Sequence, residues 1–374
     1  MRVALVDPPA YTPPYDRCLA AALARAGVEV GLWTSAFPHG AVPAPDGYRV
    51  HEAFYRRSAE LDGGARRAAR VVEHLPDMLR LRRGGLAGAD LVHYQWLTLP
   101  GVDAALLPRL RPRVLTPHGW LRREAQSARG AAGFRRLAAK MDAVVALSNY
   151  GAARVREETA IDPARVHVIP HGALGYLTRL RDEAPLPAEF RAVASPVVLF
   201  FGLLRPYKGV DVLLDAFAEV DGAELWVVGR PLDVDLDSLR ARAAAAGPVV
   251  RFMSRYVADR ELPAFFRRAD LVVLPYRDAE QSGVLYTALA FGKAIVLTDV
   301  GGFAEVAMLG AARLVPPEEP ATLGHAIREL LGDEDARRRL AAAARAAADG
   351  PYSWDAVAAR TLDLYRALLD GDAR

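Results

Sequence analysis

Residues 197–217 read VVLFFGLLRPYKGVDVLLDAF. An apolar run rich in valine and phenylalanine ends at Phe201, and Gly202 supplies a turn. Val210, Leu213, Leu214 and Phe217 then recur at helical spacing on one face. A fully apolar strand that feeds an amphipathic helix is half of a βαβ unit, and the flanking sequence repeats the pattern. Downstream, strands are expected at 224–228, 249–253, 270–274, 294–298 and 312–315, with closing helices at 320–332, 335–348 and 353–369. Upstream, short β-branched runs at 2–6, 28–33, 91–95, 113–116, 142–147 and 166–169 alternate with helical stretches such as 16–27, 63–84 and 149–159. The expected class is α/β, with two doubly wound, Rossmann-like domains facing across a cleft. Their expected bounds are 1–172 and 197–352. Pro185, Pro187 and Pro196 mark a linker at 173–196, and a helix at about 353–374 returns to the first domain.

Composition narrows the class further. The chain has 374 residues, 52% hydrophobic and 25% charged, which excludes a disordered or fibrous protein. The single Cys18 excludes an internal disulfide. The apolar run before Asp7 is too short for a signal peptide, and no stretch is long enough to span a bilayer, so a soluble cytoplasmic protein is expected. Residues 1–172 carry an excess of basic side chains and 173–374 an excess of acidic ones. The basic excess concentrates in 101–150, in Arg109, Arg111, Arg113, Arg122, Arg123, Arg129, Arg135, Arg136 and Lys140. That stretch is a candidate contact for an anionic membrane at its inner face, the alternative being an ordinary solvated helix face. No nucleic-acid module, metal-ligand spacing, GxSxG elbow or HExxH is present.

In doubly wound folds ligands meet the loops after strands, and three such loops carry chemistry. Arg205 and Lys208 precede Gly209 at a helix start, where two cations and free backbone N–H groups suit a diphosphate; the spacing is neither a P-loop nor GxGxxG. After the strand ending near Leu274, a polar loop holds Arg277, Asp278 and Glu280 before Ser282 and Gly283 open a helix. A carboxylate there accepts hydrogen bonds from a hydroxyl-rich ligand. Glu305, in the first turn after Gly301 and Gly302, reads as complement to a helix dipole. In the first half His118 follows a strand, His93 is a candidate cleft residue, and His171 lies at the domain junction as a hinge residue. Only three of the 48 basic residues are lysines: Lys140, Lys208 and Lys293. A compact ammonium suits Lys208 beneath a diphosphate, and Lys293 is expected to cap the end of its own helix.

The blocks at 200–214, 224–231, 249–276, 280–306 and 314–327, in that order, resemble the family 4 nucleotide-sugar glycosyltransferases of GT-B fold; 114–120, 144–155 and 164–173 are similar to the family more weakly. The resemblance implies transfer of a hexose from a UDP- or GDP-sugar to a hydroxyl acceptor, with retention at the anomeric carbon and without metal or cofactor. It implies that Arg205 and Lys208 hold the donor diphosphate and that Glu280 contacts sugar hydroxyls. Gly202, Ser282, Gly283 and Val284 would line the sugar and distal phosphate, Arg255 and Tyr256 would meet the base, and His118 would lie beside the sugar. The family's second glutamate is absent; Thr287 or Ala288 stands in its place. The loop at 7–16 lacks the family's glycine pair. The acceptor class stays open among glycan, lipid and small molecule. Two rivals remain: a GT-B epimerase or inverting transferase, and a nucleotide-sugar or glycan-binding protein with impaired catalysis.

Overall fold

The computed structural model describes residues 1–38, 40, 42–61, 63–119, 128–191 and 193–372. Trp120, Arg122 and Arg123 lie outside the described residues. The chain forms two compact units, Met1–Gly172 with Trp354–Arg374, and Ala173–Ser353.

The first unit is built on seven strands: β1 (Arg2–Asp7), β2 (Glu29–Thr34), β3 (Arg49–Glu52), β4 (Leu91–Tyr94), β5 (Arg113–Leu115), β6 (Ala143–Ala146) and β7 (Val166–Val168). They run in the order β3-β2-β1-β4-β5-β6-β7 and every pairing is parallel. Successive side chains of β1 feed opposite cores, as the two-residue strand period requires. Ala4 and Val6 join Phe54, Met78 and Phe134, whereas Val3 and Leu5 join Tyr15, Leu19 and Tyr365. The sequence reading passed over β3 because RVHE is a polar edge strand with no apolar run.

The second unit holds β8 (Val197–Phe201), β9 (Glu224–Val228), β10 (Val249–Met253), β11 (Leu271–Leu274), β12 (Ala294–Thr298) and β13 (Arg313–Val315). Their order is β10-β9-β8-β11-β12-β13, again parallel throughout. In each sheet the winding reverses beside the first strand, between β1 and β4 and between β8 and β11. Residues 173–196, read as a linker from their prolines, pack within this unit. The Ala173 N–H donates to the Tyr352 carbonyl at 2.7 Å, the Ala184 N–H to the Arg260 carbonyl at 2.7 Å, and Phe190 stacks edge-on to Trp226.

His93 is a core residue. Its Nδ1 lies 2.6 Å from the Tyr365 hydroxyl and its Nε2 2.7 Å from Thr116 Oγ1, so it bolts the helix Trp354–Asp372 to the sheet of the first unit. Burial pushes its pKa down to about 3 and holds the ring neutral.

The loop after β1 turns at Ala10, which takes a left-handed conformation (φ 52°) where glycine is the ordinary choice. Asp7 holds that turn, its Oδ2 accepting from the N–H groups of Tyr11 (2.7 Å) and Thr12 (3.3 Å). Asp7 is fully buried, as is Asp16 in the first turn of the helix Pro13–Arg25. Burial raises the Asp7 pKa to about 6, opposed by Asp16, Thr12 and Arg70. Burial and the neighbouring Asp7 charge push Asp16 well above the carboxylate range, so Asp16 keeps the shared proton.

This pair makes stability fall as pH rises. The unfolded chain releases both protons near pH 4, while the folded chain retains them to higher pH, so the pair favours folding in acid and opposes it above about pH 6. Asp16→Asn, which keeps a donor toward Asp7 at every pH, is expected to stabilise the protein by about 1–2 kcal/mol near pH 8 and by little near pH 4. Thermal unfolding followed by circular dichroism at both pH values measures this; equal gains at the two would contradict the shared proton.

Candidate active site

The switch point of the second sheet gathers most of the donor-side residues singled out in the sequence. Gly202 follows β8 with φ 114°, and a Cβ there would sit 3.1 Å from both Lys208 Nζ and Val284 Cγ2. Lys208 closes the short turn Pro206–Lys208 and is buried, with its ammonium 4.9 Å from the centre of the Tyr276 ring. The aromatic face stabilises a cation that has lost most of its water. The Tyr276 hydroxyl in turn lies 3.2 Å from Ser282 Oγ. Ser282 is the N-cap of the helix Gly283–Ala290, but its side chain makes no capping bond, and a Cβ built on Gly283 meets no atom within 4 Å. Gly202, Lys208, Tyr276, Ser282, Gly283 and Val284 therefore converge on one place, where a buried cation and an open helix start both favour an anion.

Gly209 decides how these segments meet. It is left-handed (φ 64°), and a Cβ there would run into the carbonyl of Pro275 just beyond β11. In the first turn of the following helix, Val210–Phe217, the Asp211 carboxylate accepts from Arg277 through two bonds of 2.9 and 2.7 Å. Arg277 is held by Asp211 and Glu318. Arg205, half-buried with extended backbone, enters the turn immediately ahead of Lys208.

Other residues from the sequence reading fall in more varied settings. Glu280 is buried in the loop before Ser282. Thr287 is buried too, and its hydroxyl donates to the Gly283 carbonyl one turn back at 2.8 Å, so only its lone pairs remain for a ligand. Arg255 is bound by Glu261 at 2.6 and 3.0 Å and by the Tyr256 carbonyl at 2.9 Å, while the Tyr256 ring is exposed. Glu305 stands in the first turn of the five-residue helix Phe303–Ala307. Lys293 caps a helix other than its own: its Nζ donates to the carbonyls of Arg267 (3.0 Å) and Ala269 (2.8 Å), at the end of Leu262–Arg268.

In the first unit, His118 sits beyond β5, buried, with Nε2 3.0 Å from Gln95 Oε1 and its ring edge-on to Tyr15 at 4.4 Å. Burial, with His171 and His93 nearby, holds its pKa well below the usual histidine range, so the ring is neutral at pH 7. Its Nδ1 has no hydrogen-bond partner among the described residues. His171 is buried against Tyr15 and Trp354, its Nδ1 donating to the Gly172 carbonyl at 2.6 Å, with a pKa pushed down by burial to about 4. The Asp7–Asp16 pair, Tyr11 stacked on Trp96 at 4.5 Å, and Gln95 share these strand ends and escaped the sequence reading. Tyr276 escaped it as well. Position at the end of an apolar strand run was the available signal for Asp7 and Gln95.

In the basic stretch 101–150, Arg109, Arg111, Arg129, Arg135, Arg136 and Lys140 are exposed. Arg113 is buried and donates to the carbonyls of Pro108 and Leu110; Arg111 pairs with Asp142 at 2.6 Å, and Lys140 donates to the Ala104 carbonyl at 2.8 Å.

The sequence family described as glycosyl transferases group 1 matches residues 195–333, and glycosyltransferase family 4 matches residues 17–173. A D-inositol 3-phosphate glycosyltransferase of Jonesia denitrificans is 32% identical over 304 residues, 74% of this chain and 71% of that protein. Sucrose-phosphate synthase from Thermosynechococcus elongatus superposes with a TM-score of 0.77 at 20% identity, over 99% of this chain and 100% of that one. Anabaena HepE, solved in complex with UDP, superposes with a TM-score of 0.73 at 20% identity, over 98% and 100%. Both sheets have the doubly wound topology of the GT-B fold, and the chain belongs to the family 4 glycosyltransferases.

Proposed function

We propose that the protein transfers a hexose from a nucleoside-diphosphate sugar, UDP- or GDP-linked, to a hydroxyl acceptor, with retention of anomeric configuration. The observation that carries this reading is the convergence of buried Lys208 with the open first turn of Gly283–Ala290, separated from β8 only by the missing side chain of Gly202. A departing nucleoside diphosphate gains negative charge as the sugar becomes oxocarbenium-like. In this reading Lys208, Arg205 and the N–H groups of Gly283 and Val284 balance that charge. In this reading no metal or cofactor is needed. Glu280 accepts from donor hydroxyls, and Tyr256 and Arg255 border the base. The second unit takes the donor and the first unit the acceptor. His118, neutral, serves there as a positioning residue. Acceptor attack on the face from which the diphosphate leaves, with the phosphate taking the acceptor proton, gives retention.

A second reading is a nucleotide-sugar-binding protein with impaired transfer, favoured by Thr287 standing where the family has a carboxylate and turning its hydroxyl onto Gly283. Thermal shift with UDP-, GDP-, ADP- and TDP-sugars identifies the donor. Transfer is then assayed against a panel of glycans, lipids and small polyols, including the inositol phosphate named for the Jonesia relative.

Lys208→Met is expected to lower turnover about 100-fold, the scale for losing one preorganised group from an anion site. Lys208→Arg is expected to recover little of it, because a planar guanidinium does not reproduce a compact ammonium buried beside the Tyr276 ring. Full turnover in Lys208→Met would remove the diphosphate assignment; donor binding with no product from any acceptor would favour the binding reading. Proton NMR of the first-formed product decides the anomeric outcome, with the donor's configuration expected.

A further inference from the structure

Gln95 directly follows β4 and is fully buried, its N–H donating to the Val6 carbonyl of β1 at 2.9 Å. Its side chain turns toward the end of β5, where its Oε1 lies 3.0 Å from His118 Nε2. An amide oxygen only accepts, so the proton of this bond belongs to His118 Nε2. A neutral imidazole protonated there keeps a lone pair on Nδ1, and that buried atom has no hydrogen-bond partner among the described residues. The Gln95 amide nitrogen, with two N–H groups to give, is buried without a partner as well. Histidines that serve the core are finished differently. His93 bonds Tyr365 and Thr116, and His74 bonds Asp103 (2.6 Å) and Tyr55 (2.7 Å), so each has both ring nitrogens engaged. A buried polar atom left unpaired is costly. Here two such atoms belong to one bonded pair at adjacent strand ends, where a doubly wound sheet receives its ligand.

Resting on the transferase reading, we infer that Gln95 is a positioning residue that acts through His118. Its amide oxygen fixes the ring with the proton on Nε2, so that Nδ1 accepts from a substrate hydroxyl, and its own N–H groups add a donor to that acceptor. A donor and an acceptor together match hydroxyl groups, which do both. They mismatch a carboxylate or phosphate, which turns lone pairs toward the bare Nδ1. The surroundings keep the ring neutral. Tyr15 packs edge-on from the helix Pro13–Arg25, and the nearby His93 and His171 are neutral themselves. Gln95 presents an uncharged amide where a carboxylate would draw a second proton onto the ring. Donor sugar and acceptor both carry hydroxyls, and the experiment separates the two.

The test is NMR of the full chain isotopically labelled in its histidine nitrogens, with His118→Asn identifying the signals. Parent His118 is expected to carry a proton on Nε2 and none on Nδ1 at about pH 7. Its Nδ1 signal is expected to shift on saturation with UDP-glucose or GDP-mannose when the hydroxyl is the donor's, or only on further addition of glucose or inositol when it is the acceptor's. Gln95→Glu places a carboxylate at Nε2, raises the His118 pKa and puts a proton on Nδ1. Nucleotide release from the donor is then expected to fall about tenfold at about pH 6 and to return toward the parent rate at about pH 9, as the ring deprotonates. Gln95→Met, which has no amide, is expected to lower release about tenfold at both pH values. Thermal unfolding of the variants keeps a folding defect from passing as lost positioning, and the parent spectrum reads the tautomer without any variant. A proton on Nδ1 in the parent, an Nδ1 signal that no substrate moves, or a Gln95→Glu pH profile like the parent's overturns the inference. Absence of nucleotide release by the parent from either donor counts against the transferase reading instead, since the tautomer and the Nδ1 shift are read without turnover.

Discussion

At Gly209 the backbone after β8 touches the backbone after β11 with no space for even a methyl group, the Pro275 carbonyl filling the volume that a Cβ needs. Much of the donor-side geometry depends on that contact. It seats the turn carrying Arg205 and Lys208 against the segment carrying Tyr276. The Tyr276 ring then receives the Lys208 ammonium, and its hydroxyl meets Ser282 at the start of the next helix. One close approach thereby brings a cation, an aromatic face and an open helix terminus to the same strand ends.

Many of the described charged groups are committed to structure. Arg277, Arg255, Arg111 and Arg113 are each held by carboxylates or carbonyls, and Lys293 closes a neighbouring helix. The acids act likewise: Asp211 binds Arg277, and Glu73 and Asp77 secure Gly63–Arg80 from inside. That inward use of polar groups is what leaves the helix with an apolar outer face. In the core of the first unit desolvation dominates instead, so His93, His118 and His171 are neutral and Asp7 and Asp16 share a proton.

Much of the architecture was legible in the chain as written. Buried parallel strands are continuous apolar runs, and the helices between them show a 3.6-residue period, so class, order and the ends of most elements follow from local pattern. Polar β3 has no such signal, and the prolines at 185–196 suggested a linker because proline marks local chain direction and says nothing of packing. Gly202, Lys208, Ser282, Gly283 and Val284 were legible as candidates because they stand directly after strands, where doubly wound sheets expose backbone. Tyr276 was passed over because a tyrosine after a strand has no signature of its own until the lysine above it is seen.

The sequence by itself determined the α/β class, the pattern of alternating elements and the residue types available to bind an anion, because these rest on periodicity and chemistry along the chain. The tertiary structure decided what those groups touch. Which acids hold Arg277, whether His93 is core or cleft, which helix Lys293 caps, and which side of Gly63–Arg80 meets solvent all depend on partners distant in sequence. Desolvation and hydrogen-bond satisfaction are settled only when those partners are brought together.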